Sequence, residues 1–200
     1  SKLNPSAVIC EVMNEDGRMA RLDDLQKFSV KHKIKIASIE DLIAYRLKNE
    51  KLVFKSSAKV LDKRIKGVFE LITYKNKINY SESYVIKKGK FSSNKSIRVR
   101  VITEKYINAN LIFKNLKFKK SFNFISKFSN FALIIINKNK VDKAETDNVI
   151  LRYYGIGAQI IKDLKVKNMI LVTRTKKKII GLEGFGLKIK KQEIIKWKKF

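Results

Sequence analysis

The stretch "RYYGIGAQIIKDLKVKNMILVTRTKKKIIGLEGFGLKI", residues 152–189, decides how the rest of the chain is read. Glycines stand at 155, 157, 181, 184 and 186, five of the eight in the protein. Between them the pattern changes period. Residues 156–164 repeat their apolar positions at helical spacing, and "NMILVT", 168–173, is a continuous apolar run of strand length. A basic turn then leads through "GLEGFG" into a further strand at "LKI". "GIGA" lacks the third glycine of a dinucleotide fingerprint. Its plainer role is a tight turn that starts a helix packed on a sheet.

Working outward from that helix and strand, "NFALIIIN", 130–137, reads as a fully buried strand. "GVFELITYK", "ESYVIKKG" and "SIRVRVITE" alternate apolar and polar residues, as half-buried strands do. Residues 105–130 are rich in Asn, Lys and Phe and show only weak periodicity. Nearer the N-terminus the texture differs. "AVICEVM", 7–13, reads as a short buried strand interrupted by one carboxylate, and "NEDG" as a turn. Asp23 is placed to cap a helix carrying Leu25, Phe28 and Val30. "KIKIAS" reads as a short strand. Ser38 caps the helix "IEDLIAYRLKNE", with Asp41 closing a weaker form of the capping box. The fold class expected is α+β, with two domains, 1–50 and 51–200. The boundary near 50 rests on the helix ending at Asn49 and on a shift in charge.

Net charge is +28, but residues 1–50 carry only +1 of it and residues 51–200 carry +27. Of 46 basic residues, 38 are Lys and 8 are Arg. A lysine is a point charge, whereas phosphate and base recognition favours the arginine fork. Two readings stay open: a solvated lysine face that binds polyanions weakly and without sequence preference, and a specific nucleic-acid role. Cys10 is the sole cysteine, which excludes an internal disulfide and any zinc site built on two cysteines of this chain. No apolar run reaches the length of a membrane span and no secretory leader is visible, so a cytoplasmic setting without membrane contact is expected.

Two stretches carry a resemblance. "AVICEVMNEDGRMARLDDLQKF" with "KIASIEDLIAYR", within residues 5–46, resembles the C-terminal end of 3,4-dihydroxy-2-butanone 4-phosphate synthase. "YGIGAQIIKDLKVKNMILVT" with "GLEGFGLKI" resembles the C-terminal part of GTP cyclohydrolase II, and "VFELITY" and "IRVRVITE" are weaker matches to its start. Both occur in this order in the bifunctional riboflavin-biosynthesis proteins that fuse the two enzymes. The resemblance implies the end of an α/β synthase domain followed by a mixed-sheet cyclohydrolase II-like domain. It also implies a homodimer.

The synthase converts ribulose 5-phosphate to 3,4-dihydroxy-2-butanone 4-phosphate and formate with Mg²⁺. Its late essential glutamate matches Glu11, and a carboxylate on an apolar strand can be tuned for proton transfer. Position alone favours a solvent-facing glutamate at a strand edge. The synthase's acidic metal loop and its histidine segment lie upstream in the family, so its activity is expected only in a longer parent chain. The lone His32 fits no motif and reads as a surface helix residue.

The cyclohydrolase half departs from its family. There a zinc-activated water is held by three cysteines. Here Lys105, in "KYINA", stands where the first cysteine belongs, and no later cysteine exists. In "ILRYYGIGAQ", Ile150 replaces the general-base aspartate, while Arg152 matches the nucleophilic arginine. Zinc is therefore expected to be absent and cyclohydrolase chemistry lost. Arg100, Glu104, Thr173 and Lys178 match the groups that contact the nucleotide, which implies a weak GTP site. For Lys178 the alternative is a generic basic turn, because Lys176 and Lys177 precede it. Three functional classes follow: a riboflavin-pathway protein with a degenerate second half, a non-catalytic assembly or nucleotide-binding module, and a basic nucleic-acid-binding protein.

Overall fold

The computed structural model describes residues 4, 6–38, 41–42, 45–46, 49–61, 68–77, 80–92, 95–105, 107–138, 147–176 and 182–195, with the backbone alone at 147–152 and 183. The chain divides into two compact units, Ser1–Leu42 and Ile43–Phe200.

In the first unit the expected "NEDG" turn is present. Asn14 N–H donates to the Arg18 carbonyl at 2.8 Å, Gly17 N–H donates to the Asn14 carbonyl at 2.9 Å, and Met13 bridges Met19. Gly17 supplies the positive φ of 78° that this reversal requires. Helix α1 follows over Leu22–His32. Its N-terminal cap falls on Arg21 rather than Asp23, because Asp24 reaches back to accept from the Arg21 N–H at 3.0 Å. That bond, then one from Asn14, holds the Asp24 carboxyl below its ordinary pKa. The Ser38 cap is made: Ser38 Oγ accepts from Asp41 N–H at 3.0 Å, and the Asp41 carboxylate accepts from Ser38 N–H at 3.2 Å.

Two expected strands are not formed. Among the described residues, 7–13 pair only at the Met13–Met19 bridge and "KIKIAS" has no strand partner; Val8 and Ile9 are 98% and 93% exposed, and Ile34 and Ile36 are exposed. An apolar run becomes a buried strand only with neighbours to bond its backbone and cover its faces. Among the described residues of this unit, pairing stops at the Met13–Met19 bridge.

Among the described residues the second unit is built on a seven-stranded sheet in the order β1-β2-β3-β5-β4-β6-β7. Strands β1 (Val53–Leu61), β2 (Phe69–Asn76) and β3 (Glu82–Lys88) form an antiparallel meander that continues antiparallel onto β5 (Phe131–Lys138). From β5 onward the pairing is parallel, through β4 (Ile97–Lys105) and β6 (Asn168–Thr173) to β7 (Lys188–Ile194). The sheet is thus mixed, as expected for α+β. Central β5 buries both faces from Phe131 to Ile136 and leaves no period to read.

Each face carries its own apolar core. Helix α2 (Leu116–Ile125) contributes Phe118 and Ile125 to one, with Phe69, Ile86, Leu133 and Ile135. Helix α3 (Asp147–Asp163) contributes Ile156, Ala158, Ile160 and Ile161 to the other, with Ile72, Val85, Val99 and Ile134. "GIGA" lies inside α3, which starts at Asp147, so it is not a turn. Its glycine at 157 instead lets the helix sit close on the sheet. A Cβ built there would stand 3.4 Å from Ile136 Cδ1 and 3.9 Å from Val101 Cγ1.

Candidate functional site

The connections around β4 place the site. The chain leaves β4, crosses one face through α2 to β5, then returns across the other face through α3 to β6 on the opposite side of β4. At such a switch point the carboxyl ends of parallel strands leave a crevice, where open α/β sheets hold their ligands. A cavity of about 590 Å³ lies there, lined by residues of β4, β5 and β6 and by α3 from Tyr153 to Ile161. Its walls are largely apolar: Val101, Ile136, Ala158, Met169 and Leu171 contribute. Four cations, Arg100, Lys117, Lys138 and Arg174, and the hydroxyl-bearing Thr103, Tyr153, Tyr154, Thr173 and Thr175 supply its polarity.

Strand alternation sorts the β4 side chains. Val99 and Val101 join the α3 core, while Ile102 joins the α2 core, so Arg98, Arg100 and Glu104 share the face toward α2. The two arginines have different fates. Arg98 makes a forked pair with Glu193, both contacts at 3.0 Å, and lies 3.7 Å from the centre of the Phe128 ring. Arg100 is 7% exposed and donates from Nη1 to the Val172 carbonyl at 3.1 Å and from Nε to Ser121 Oγ at 3.4 Å. Both partners are neutral. Burial, and then the charge of Arg174, lower its pKa below the ordinary arginine value. Both effects oppose a positive charge, and an anion in the cavity would relieve both.

Thr173 ends β6 at the cavity wall, where its hydroxyl donates to the Thr175 carbonyl at 3.0 Å. Arg100 and Thr173 therefore line one cavity. Glu104 is not in the lining. Its Oε1 stands 2.6 Å from Lys117 Nζ, a charge contact without the direction of a hydrogen bond, and Lys117 itself lines the cavity. Arg152 lies in α3, immediately before the lining residues Tyr153 and Tyr154, with its side chain outside the description. Lys178 lies outside the described residues. Glu11 belongs to the first unit and is exposed, so the environment expected for it, a buried apolar strand, is not there.

Sequence reasoning missed Lys117, Lys138, Arg174 and the two tyrosines. Lys138 closes β5 and Arg174 follows β6, so the signal was a cation at the carboxyl end of each apolar strand. It becomes informative only once the strands are known to be parallel neighbours.

Zinc does not fit this cavity. Its charged lining is cationic, Lys105 closes β4, and the protein's one cysteine, Cys10, is in the other unit. Among the described residues no three His, Cys, Asp or Glu side chains gather as a metal site.

Residues 111–194 match the family model for GTP cyclohydrolase II, and residues 1–45 match that for 3,4-dihydroxy-2-butanone 4-phosphate synthase. The riboflavin biosynthesis protein RibBA of Aquifex aeolicus is 35% identical over 97% of this chain and 54% of its own length. A 3,4-dihydroxy-2-butanone 4-phosphate synthase of Photobacterium phosphoreum is 32% identical over 94% of this chain and 56% of its own. The crystal structure of RibBX, a two-domain 3,4-dihydroxy-2-butanone 4-phosphate synthase from A. baumannii, superposes with a TM-score of 0.67 at 28% identity, covering 93% of this chain and 53% of that one. The chain spans about half the length of the curated relatives it matches. Two family matches in the order read from the motifs, and relatives aligned across nearly the whole chain, show that it belongs to the family of riboflavin-biosynthesis proteins that join a 3,4-dihydroxy-2-butanone 4-phosphate synthase to a GTP cyclohydrolase II-like domain.

Proposed function

We propose that the cyclohydrolase II-like domain, residues 51–200, is a non-catalytic anion-binding domain, and that residues 1–50 are the end of a synthase domain whose chemistry runs in a longer chain. In that chain ribulose 5-phosphate is converted to 3,4-dihydroxy-2-butanone 4-phosphate and formate with Mg²⁺, Glu11 serving in proton transfer. The observation that carries the reading of 51–200 is the cationic cavity. It has the position and size of a ligand site, but Arg100, Lys138 and Arg174 suit phosphate oxygens and repel a metal ion. The relative from A. baumannii is a two-domain 3,4-dihydroxy-2-butanone 4-phosphate synthase. That accords with a second domain without its own reaction.

GTP is the expected ligand, held weakly through Arg100 and Thr173 and, by family match, through Arg152 and Lys178. Homodimer formation, a cytoplasmic setting and generic polyanion binding by the lysine surface complete the reading. Metal analysis and incubation with GTP test it. The purified protein should hold no stoichiometric zinc and release no formate from GTP. One zinc per chain together with formate release would overturn it.

A further inference from the structure

The glutamine of "GIGAQ" is left unexplained by the cavity. Gln159 is 8% exposed and is not among the cavity-lining residues. Its side-chain amide accepts from the Leu52 N–H at 2.9 Å and donates to the Glu50 carbonyl at 2.9 Å. Bonding the carbonyl before Lys51 and the N–H after it is the pattern a parallel strand neighbour would give. One turn of α3 further on, Asp163 accepts from the Tyr74 hydroxyl at 2.8 Å and pairs with Lys51 Nζ at 3.4 Å. Residues 50–52, which lead from the first unit's end of the chain into β1, are thus clasped to α3. The same helix forms one wall of the cavity with Tyr153, Tyr154, Gly157, Ala158 and Ile161.

We propose that Gln159 is a positioning residue that links occupancy of the cavity to the ordering of residues 50–52. The linkage follows from shared dependence on docked α3. The cavity loses a wall if α3 lifts from the sheet, and the clasp loses its anchor. A ligand that binds only the docked arrangement therefore suppresses the opening that frees the clasp, by a factor of one plus the ratio of free ligand to Kd. No second conformation of the closed state is needed. Asparagine is too short to copy the clasp, and glutamate has no donor for the Glu50 carbonyl.

The inference rests on the reading of the cavity as an anion site, and the test separates the two. Calorimetry on the full chain first gives Kd for GTP. Hydrogen exchange is then followed at the Leu52 amide, without GTP and at a hundredfold excess over Kd. Protection should rise about 100-fold. Gln159→Met, of similar length but with neither the acceptor for the Leu52 N–H nor the donor for the Glu50 carbonyl, should abolish that gain, with exchange at Leu52 at least about tenfold faster than in the parent, while Kd stays within about twofold. Absence of GTP binding overturns the inference together with the reading beneath it. Binding without added protection at Leu52, or full protection in Gln159→Met, overturns the inference alone. Should the variant fail to fold, the two measurements on the parent chain still decide.

Discussion

Arg100 donates from Nη1 to the main-chain oxygen of Val172 at 3.1 Å, so a buried guanidinium is anchored to a neutral group on the neighbouring strand. Its neighbour two residues earlier, Arg98, has a carboxylate. Among the described residues no carboxylate pairs with Arg100, and a buried charge without a counter-charge costs stability that an anionic ligand would offset. Arg100→Met removes the charge at similar length. It should leave stability unchanged or raise it, by urea unfolding, while weakening GTP by about 10- to 100-fold in calorimetry, as loss of a charged hydrogen bond implies. A variant that binds GTP as the parent does would show that Arg100 is structural.

Tyr74 is 1% exposed and donates to Asp163. Burial first, then the hydrogen bond and the charge of Asp163, push its phenol pKa up. The folded state therefore favours the protonated ring. That stabilisation is complete below the unfolded value of about 10 and is lost as pH rises beyond it. Tyr74→Phe should cost about 0.5–1.5 kcal/mol at neutral pH. It should also flatten part of the alkaline fall in stability, with Tyr84, raised for the same reasons and paired with Glu82, retaining the rest. Unfolding measured across the alkaline range checks both.

Gly157 faces Ile136 and Val101 across the helix–sheet contact. Gly157→Val places branched carbons in space already filled, and the neighbours are core residues with little room to yield. The expected loss is about 1–3 kcal/mol by thermal or chemical unfolding. A neutral result would mean that α3 stands off the sheet.

Glu11 is exposed in this chain. In a longer chain that contains the upstream synthase motifs, Glu11→Gln should abolish formation of the four-carbon phosphate. Stability should move by no more than about 0.5 kcal/mol, as for a surface change. Near-parental turnover of ribulose 5-phosphate would exclude it from the chemistry.

The lysine surface should bind DNA without sequence preference, and affinity should fall steeply with salt as counterions compete. Filter binding or fluorescence anisotropy across a salt series reads this directly. A preferred sequence that survives about 0.2 M salt would favour a specific nucleic-acid role instead.

Several elements were legible along the chain because their reasons are local. "NMILVT" forms β6 over Asn168–Thr173, and the alternation of "SIRVRVITE" places β4. Strand β1 escaped notice because a bulge between Lys55 and Ser57 breaks its alternation, and most of it is exposed. Helix α2 was hidden by its lysines. Yet Phe118, Ser121, Phe122 and Ile125 keep helical spacing, and Asn115 caps them by accepting from the Phe118 N–H at 2.9 Å.

Residue identity alone established the family resemblance, the cationic excess and the lack of cysteines for a three-thiolate zinc site. These properties require no partner in space. Tertiary structure decided which cations share a site. Arg100, Lys138 and Arg174 meet because β4, β5 and β6 are parallel neighbours that end on one edge, an order set by crossovers on opposite faces of the sheet, and Lys117 joins them from the first turn of the α2 crossover. It also decided that Arg98 is neutralised while Arg100, among the described residues, is not. Both occupy the same face of one strand, but β7 brings Glu193 within 3.0 Å of the first, whereas β6 offers the second a carbonyl. Charge pairing across a sheet depends on strand order and register, and neither is written in the spacing of residues along one strand.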